Sequence, residues 1–580
     1  ALMQAYRFLR RVENIIQALA DKQTQTLPDT ELDQARLLAV LGIDSWTEFL
    51  SLLSMHMDNV HTEFHQLIGE ESPNHQAPDE HWVTLWHSRW DNEESIAWLA
   101  QDEQTWDSEK VWREISNFRE EVGKRSLGSR GRQVLDKLIP MMLCRLQKTA
   151  KADVVLSRVL IVFSKIITRT AYLELLFENE GALKQLLHLC QASSWVAEYI
   201  AKYPILLDEL IDPKLLHNPP ELSSYALELR ERMLRIPEED LEAQMDALRQ
   251  FKQSQQLRIA AADIANVMPV AKVSDHLTAL AQAILEEGIT LAWQQISARY
   301  GTPETCLNEQ KGKGFGVIAY GKTGGYELGY SSDLDLVFVH HSERDEVTTG
   351  QADGSRVIAA SQFYMKLAQR IMHIFNTRMN SGILYELDMR LRPSGNSGVM
   401  VVHLNTFAQY QEEDAWTWEH QALVRARMIY GNEALKTQFS QIRQNILSRD
   451  RDKQALKDDV VKMREKMRAH LDKSNEQFLD IKQGQGGLVD IEFLTQYLVL
   501  AYSREYKELM RFCDNLNTFK QLCDVNLLDD TEQRLLSEVY QELRAIGHHA
   551  TMQNEAQNIE KSAATQQAEI ETLWNKFLGL

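Results

Sequence analysis

The sequence predicts a mostly helical protein with one α+β island set between helical regions. Three observations predict it. The 580 residues include only 26 glycines and 12 prolines, few breakers for so long a chain. Apolar residues recur at helical spacing over most of it, as in Leu135-x-x-Leu138-Ile139 and Leu173-x-x-Leu176-Phe177. Short apolar runs with strand character gather between Gly314 and Arg392. With 44% hydrophobic and 25% charged residues, the bulk of the chain is globular rather than disordered, collagenous or rod-like. Its length corresponds to about three or four domains.

The elements follow in order, within four expected domains: 1–74, 75–260, 261–435 and 436–580. Residues 1–67 read as helices. Thr30-x-x-Asp33 caps one that carries Leu37, Leu38, Val40 and Leu41, and Gly42 ends it. Gly69 to Pro78 is polar, contains two prolines and reads as a linker. Helical periodicity resumes at Trp82, and Pro204, Pro213, Pro219 and Pro220 punctuate its end. Ser274 is the expected N-cap of a helix reaching Tyr300. After Gly301 a loop marked by Pro303, Gly312 and Gly314 leads into three strands, at Gly314–Tyr320, Leu334–His340 and Gly382–Arg392. A helix over about Ala359–Asn380 separates the last two, and from Phe407 onward the chain reads as helical.

Lys and Arg number 63 against 83 Asp and Glu, a net charge of −20. Phosphate affinity depends on clustered cations, so this balance excludes a general nucleic-acid binder. The five cysteines, at 144, 190, 306, 513 and 523, form no C-x-x-C pair, which fits a reducing cytoplasm without zinc sites or disulfides. No uncharged apolar run is long enough for a membrane span, and Ser157 and Arg158 interrupt the best one. The N-terminus lacks a signal-peptide plan and an initiator Met, which reads as a piece of a longer protein.

Asp333-x-Asp335 lies at the start of one strand and Asp388 on another, where the period of two puts Glu386, Asp388, Arg390 and Arg392 on one face. Converging carboxylates are hard oxygen ligands suited to Mg²⁺ completed by substrate phosphates. Two such ions clamp both oxygens of a phosphoryl displacement. Upstream, Gly321-Lys322-Thr323-Gly324-Gly325 follows a strand, where glycines let backbone N–H groups approach a phosphate. Lys322 offers charge and Ser332 a hydroxyl. A glycine turn, then D-h-D, then a third Asp on a separate strand is the plan of a nucleotidyltransferase (polymerase β-like) domain. Gly316 to Thr323 also satisfies G-x-x-x-x-G-K-[ST]. There, however, the four intervening residues are an apolar strand rather than a cradle, and no run of βα units follows. Weaker features are Trp416 to Arg427, either a packed helix or a nucleotide-facing wall; the loop Gly484–Glu492; and the pair His548-His549.

Together these motifs resemble the glutamate–ammonia ligase adenylyltransferase family, the bifunctional glutamine synthetase adenylyltransferase/adenylyl-removing enzymes. The residues that carry the resemblance are Gly321-Lys-Thr-Gly-Gly-x-Glu327-Leu with Ser331-Ser332-Asp333-Leu-Asp335, Tyr385-Glu-Leu-Asp388-Met-Arg390-Leu-Arg392-Pro-Ser-Gly, Trp416-x-Trp418-Glu-His-Gln-Ala-Leu-x-Arg425-Ala-Arg427 and Gly484-x-Gly486-Gly487-x-x-Asp490-Ile-Glu492. The family pairs an AMP-removing half with an AMP-attaching half. An echo between Leu2-x-x-x-Tyr6-x-x-Leu9-Arg10 and Leu536-x-x-x-Tyr540-x-x-Leu543-Arg544 makes residues 1–74 the expected helical tail of the first half.

The resemblance implies the attaching half: AMP moves from ATP to a tyrosine of glutamine synthetase, releasing diphosphate and regulating nitrogen assimilation. Asp333 and Asp335 would bridge two Mg²⁺ ions. Asp388 would bind the catalytic ion and help deprotonate the tyrosine. Gly321, Lys322 and Ser332 would hold the β- and γ-phosphates, while Arg390 and Arg392 offset negative charge. Residues 75–260 would form a connector or regulatory surface for PII signalling protein and for glutamine as effector. The alternatives are phosphorolytic removal of AMP by the same pocket and a noncatalytic regulatory scaffold.

Overall fold

The computed structural model describes residues 2–20, 27–28, 30–53, 55–56, 80–101, 106–147, 149–307, 313–351 and 356–579. The expected linker at 69–78 and Gly312 lie outside them. The chain forms two compact units, residues 1–83 and 84–580.

In the first unit, helix Leu2–Ala20 meets helix Glu31–Leu41 around buried Val12, Ile16, Leu37 and Phe49. The expected caps are present. The Thr30 hydroxyl accepts from the Asp33 N–H, and Gly42 closes the helix at φ 72°, the left-handed region that glycine enters without steric cost.

The second unit opens with a run of helices. Helix Ala152–Ile166 contains the apolar run weighed above as a membrane span, and it buries Val155, Leu156, Val159, Val162 and Phe163 inside the protein. No described helix is long and apolar enough to cross a membrane. The long helix Val270–Tyr300 starts one turn before the expected cap. The Pro269 carbonyl accepts from the N–H groups of Lys272 and Val273, so the helix begins there and Ser274 is buried within it.

The α+β island has a five-stranded sheet: β1 (Phe315–Ala319), β2 (Leu334–His340), β3 (Leu387–Asp388), β4 (Val401–His403) and β5 (Arg427–Tyr430). β1 pairs antiparallel with β2 on one side and with β5 on the other. β3 and β4 both run parallel to β2 along its other edge. β2 is therefore central, and Leu334, Leu336, Val337, Phe338 and Val339 are all buried in it. Helix Ala360–Asn376 covers the sheet with Phe363, Tyr364, Leu367 and Ile371. It packs closely against Val270–Tyr300: a Cβ on Gly288 would lie 2.7 Å from the Phe375 ring.

Two expectations about strands need correction. The third strand is two residues long, not eleven. Helix Leu241–Ile264 captures the backbone before it: Arg249 donates to the carbonyls of Ile374, Thr377 and Gly382 at 2.7–2.9 Å, and Lys252 to that of Leu384 at 2.5 Å. Gly382 and Leu384, inside the expected strand, are thus held by this helix rather than by a neighbouring strand. After β3, the Arg390 N–H turns back onto the Asp388 carboxylate at 2.9 Å, an Asx turn that ends the strand. Arg390 and Arg392 therefore lie in a turn, not on a shared strand face. The second correction concerns residues beyond Phe407, which are not wholly helical. They supply β5 and a separate antiparallel pair, β6 (Phe478–Asp480) with β7 (Asn558–Glu560).

One hydrophobic core joins the sheet to the C-terminal helices. Ile318, Val337 and Val339 share it with Leu423, Ile491, Leu498, Val499, Tyr540 and Leu543. At about 1.5–3 kcal/mol for each large side chain removed from water, this burial fixes helices Leu488–Tyr502 and Asp530–Gln553 beside the first residues of β2.

Candidate active site

The register of β2 with β3 places Asp335 directly opposite Asp388. Asp333 lies two residues before Asp335 and projects to the same side. One carboxylate oxygen from each of the three comes within 4.8 Å of the others. This donor set fits hard divalent cations. Burial, then the charges of Asp333 and Asp388, push the Asp335 carboxyl up to about 6, against the weaker opposing pull of Arg390 and Lys322. Asp388 moves the other way. Hydrogen bonds from the Arg390 guanidinium, stronger than the cost of its own burial, hold it below the usual carboxylate range. Arg390 is itself largely exposed and sits on Asp388 as a counter-cation. Arg392 is used differently: its guanidinium donates to the carbonyls of Met389, Asn396 and Gly398 at 2.9–3.3 Å and fastens the turn.

The glycine loop bends directly after β1. Residues 321–324 form one helical turn. Gly321 stands at φ 53°, and a Cβ there would lie 2.5 Å from the Asp335 carboxylate. Gly324 approaches Arg425 so closely that a Cβ would lie 1.9 Å from its carbonyl oxygen. The Ser332 hydroxyl accepts from the Gly329 N–H at 3.0 Å, which leaves its proton free to donate.

Beneath this loop is a buried polar network whose partners come from four separate elements. Arg425 donates to Glu327 and, at 2.6 Å, to Glu492; the Tyr540 hydroxyl reaches Glu327 at 2.6 Å. Burial alone would raise the Glu327 carboxyl, but Arg425, Arg544 and the Tyr540 hydroxyl outweigh it and hold it low. Arg427 stacks 3.8 Å over the Tyr326 ring and donates to the carbonyls of Thr323 and Gly324. The stretch 416–427 is therefore neither a helix with exposed charges nor a simple nucleotide wall. Its arginines support the loop, Arg425 buried and Arg427 half-buried, while Trp416 and Trp418 are exposed.

A cavity of about 490 Å³ opens above the network, within the range of small-molecule sites. Gly321, Lys322, Ser332, Asp333 and Asp335 line it together with Lys482, Glu492, Arg544 and His548. Asp388 and Arg390 lie outside that lining. The His548 imidazole pairs with Asp263 at 2.5 Å, and Tyr330 reaches the same carboxylate at 3.2 Å, so His548 belongs to the cavity wall. Lys482 lies just before the Gly484–Glu492 loop, whose motif does not include it. Only the echo at residues 536–544 drew attention to Arg544, and nothing short of the fold brings either to the glycine loop.

Residues 183–442 match the family model described as glutamate-ammonia ligase adenylyltransferase. Over this region the chain is similar to that family. The match covers β1 to β5, the glycine loop and all three aspartates. Residues 1–68 and 455–570 match a second model, described as GlnD PII-uridylyltransferase. The two stretches with the echoed sequence thus fall under one model, as expected of related helical segments.

Proposed function

We propose that the chain transfers AMP from ATP to a tyrosine of glutamine synthetase, with release of diphosphate. The observation that carries this reading is the convergence of Asp333, Asp335 and Asp388 at the rim of a glycine-loop cavity, within a region similar to that family. The tyrosyl oxygen bonds to the α-phosphorus, the bond from that phosphorus to the β-phosphate's bridging oxygen breaks, and the phenolic proton leaves to solvent. The protein's task is positioning and charge stabilisation rather than covalent catalysis. Asp333 and Asp335, with Asp388, would hold divalent cations; when bound, Mg²⁺ supplies neutralising charge at the reacting phosphate. Gly321, Lys322 and Ser332 orient the β- and γ-phosphates. Asp388 is a weak base while Arg390 grips it, so its part is to bind cations rather than to accept the phenolic proton.

The cavity would serve the reverse chemistry equally well, and direction is settled by assay. The chain is incubated with unmodified glutamine synthetase and α-labelled ATP, and separately with AMP-modified glutamine synthetase and phosphate. Label on a tyrosine supports adenylylation. ADP formed from the second mixture, with no label in the first, replaces it with phosphorolysis. Product in neither mixture leaves the scaffold reading.

A further inference from the structure

Besides Arg425, which is already paired, three cations line the cavity beside Asp333 and Asp335. Lys322 comes from the glycine loop, Lys482 from the turn after β6, and Arg544 from helix Asp530–Gln553. Burial of Lys322 lowers its pKa, and Lys482 and Arg544 lower it further while Glu492 and Asp333 oppose them. Cations gathered in this way repel one another unless an anion sits among them. The neighbouring carboxylates do not fill that need. Glu327 and Glu492 are both engaged by Arg425, and Asp333 and Asp335 face Asp388. Lys482 is exposed, and its ammonium makes no hydrogen bond or ion pair among the described residues. Arg544 uses one nitrogen, Nη2, on the Ser274 hydroxyl at 2.7 Å and the Glu327 carbonyl at 3.4 Å. Its other nitrogens have no partner among the described residues.

We propose that Lys482 and Arg544 bind the terminal phosphates of the nucleotide from the side opposite the glycine loop. Residues 455–570 then complete the nucleotide site instead of merely flanking it. The inference rests on the nucleotide-binding reading of the cavity given above, and it names which half of the nucleotide each wall recognises. The aspartates of the sheet hold the reacting end, and the glycine loop holds the terminal phosphates from one side. The C-terminal helices hold the diphosphate that departs, through charge-assisted contacts. Arg425, for all its prominence in the motif, makes no phosphate contact, because both ends of its guanidinium are already engaged.

The test is calorimetric titration of Mg²⁺·ATP and of AMP into the full chain, wild type and variants. Lys482→Ala weakens Mg²⁺·ATP binding at least tenfold, leaves AMP within twofold and leaves the melting temperature unchanged. Lys482→Arg restores most of the loss. Arg544→Gln behaves like Lys482→Ala towards ATP. Inorganic diphosphate competes with ATP on the wild type and at least tenfold less well on Lys482→Ala. Wild-type ATP affinity in both variants overturns the proposal, as does equal loss of ATP and AMP, the mark of a purely structural role. Competition by orthophosphate but not by diphosphate also overturns it. A wild type that binds neither nucleotide instead removes the adenylyl-transfer reading itself, and this proposal falls with it.

Discussion

Asp335 is held in a form its surroundings disfavour. It stands half-buried beside two other carboxylates, and its pKa is raised to about 6. A carboxyl whose folded pKa lies above its unfolded value favours folding at low pH, and that contribution is lost as pH rises through about 6. A shift of this size corresponds to about 3 kcal/mol at full strength, and solvent screening reduces it to roughly 1 kcal/mol. Asp335→Asn is therefore expected to abolish AMP transfer while raising the melting temperature of metal-free protein at pH 7.5. The difference from wild type narrows as pH falls below about 6 and vanishes only below the unfolded carboxyl's value of 3.8. Thermal unfolding across that pH range, without and with Mg²⁺, checks the sign. Thr323 gives a second test at this scale. Its hydroxyl is buried with no hydrogen-bond partner among the described residues, and an unmade buried hydrogen bond costs about 1–3 kcal/mol. Thr323→Val, nearly the same in shape, is expected to stabilise the fold by about 1 kcal/mol in urea titration.

At the scale of elements, the glycine loop is supported from beneath by Arg425. Breaking a buried ion pair from one side costs about 3–5 kcal/mol because the partner charge stays buried. Arg425→Met leaves Glu327 and Glu492 without their guanidinium and is expected to cost that much in denaturant unfolding. Wild-type stability in this variant would remove Arg425 as the support. The same elements show what can be read from sequence. β1, β2 and the helix between β2 and β3 were legible because an apolar run or a helical period is a local signal. The three aspartates were legible because D-x-D spacing and strand alternation are local too. β3 was over-extended because the captors of its neighbours, Arg249 and Lys252, lie more than a hundred residues upstream. Arg390 and Arg392 leave the strand face for a different reason, the Asx turn in which the Arg390 N–H returns to the Asp388 carboxylate. β4 and β5 are short and take their strand form from pairing with β2 and β1. The contacts of Arg425 with Glu327 and Glu492, and the approach of Lys482 and Arg544, link distant segments, and no local period encodes such links.

Across the unit formed by residues 84–580, the upstream helices touch the loop between β1 and β2 directly. Trp195 packs against Tyr330 with ring centres 4.8 Å apart, and Tyr330 packs against His548 at 5.2 Å. The Ser193 hydroxyl donates to the Met552 carbonyl at 2.6 Å, and Gln553 donates to the Ala192 carbonyl at 2.6 Å. A packing change in helix Ser194–Lys202 thus reaches the cavity through two aromatic contacts. Trp195→Ala is expected to raise the KM for ATP several-fold with kcat nearly unchanged, because it loosens the loop that orients the phosphates without touching the carboxylates. Steady-state kinetics checks the split, and a fall in kcat at constant KM would contradict it. The measurement that bears most directly on the whole account is transfer of label from α-labelled ATP to glutamine synthetase in Mg²⁺, with wild type, Asp333→Asn, Asp335→Asn and Asp388→Asn compared at equal folded concentration. The account predicts label on a tyrosine with wild type and a loss of at least a thousandfold in each variant. Transfer at near wild-type rate by any one of the three would contradict it.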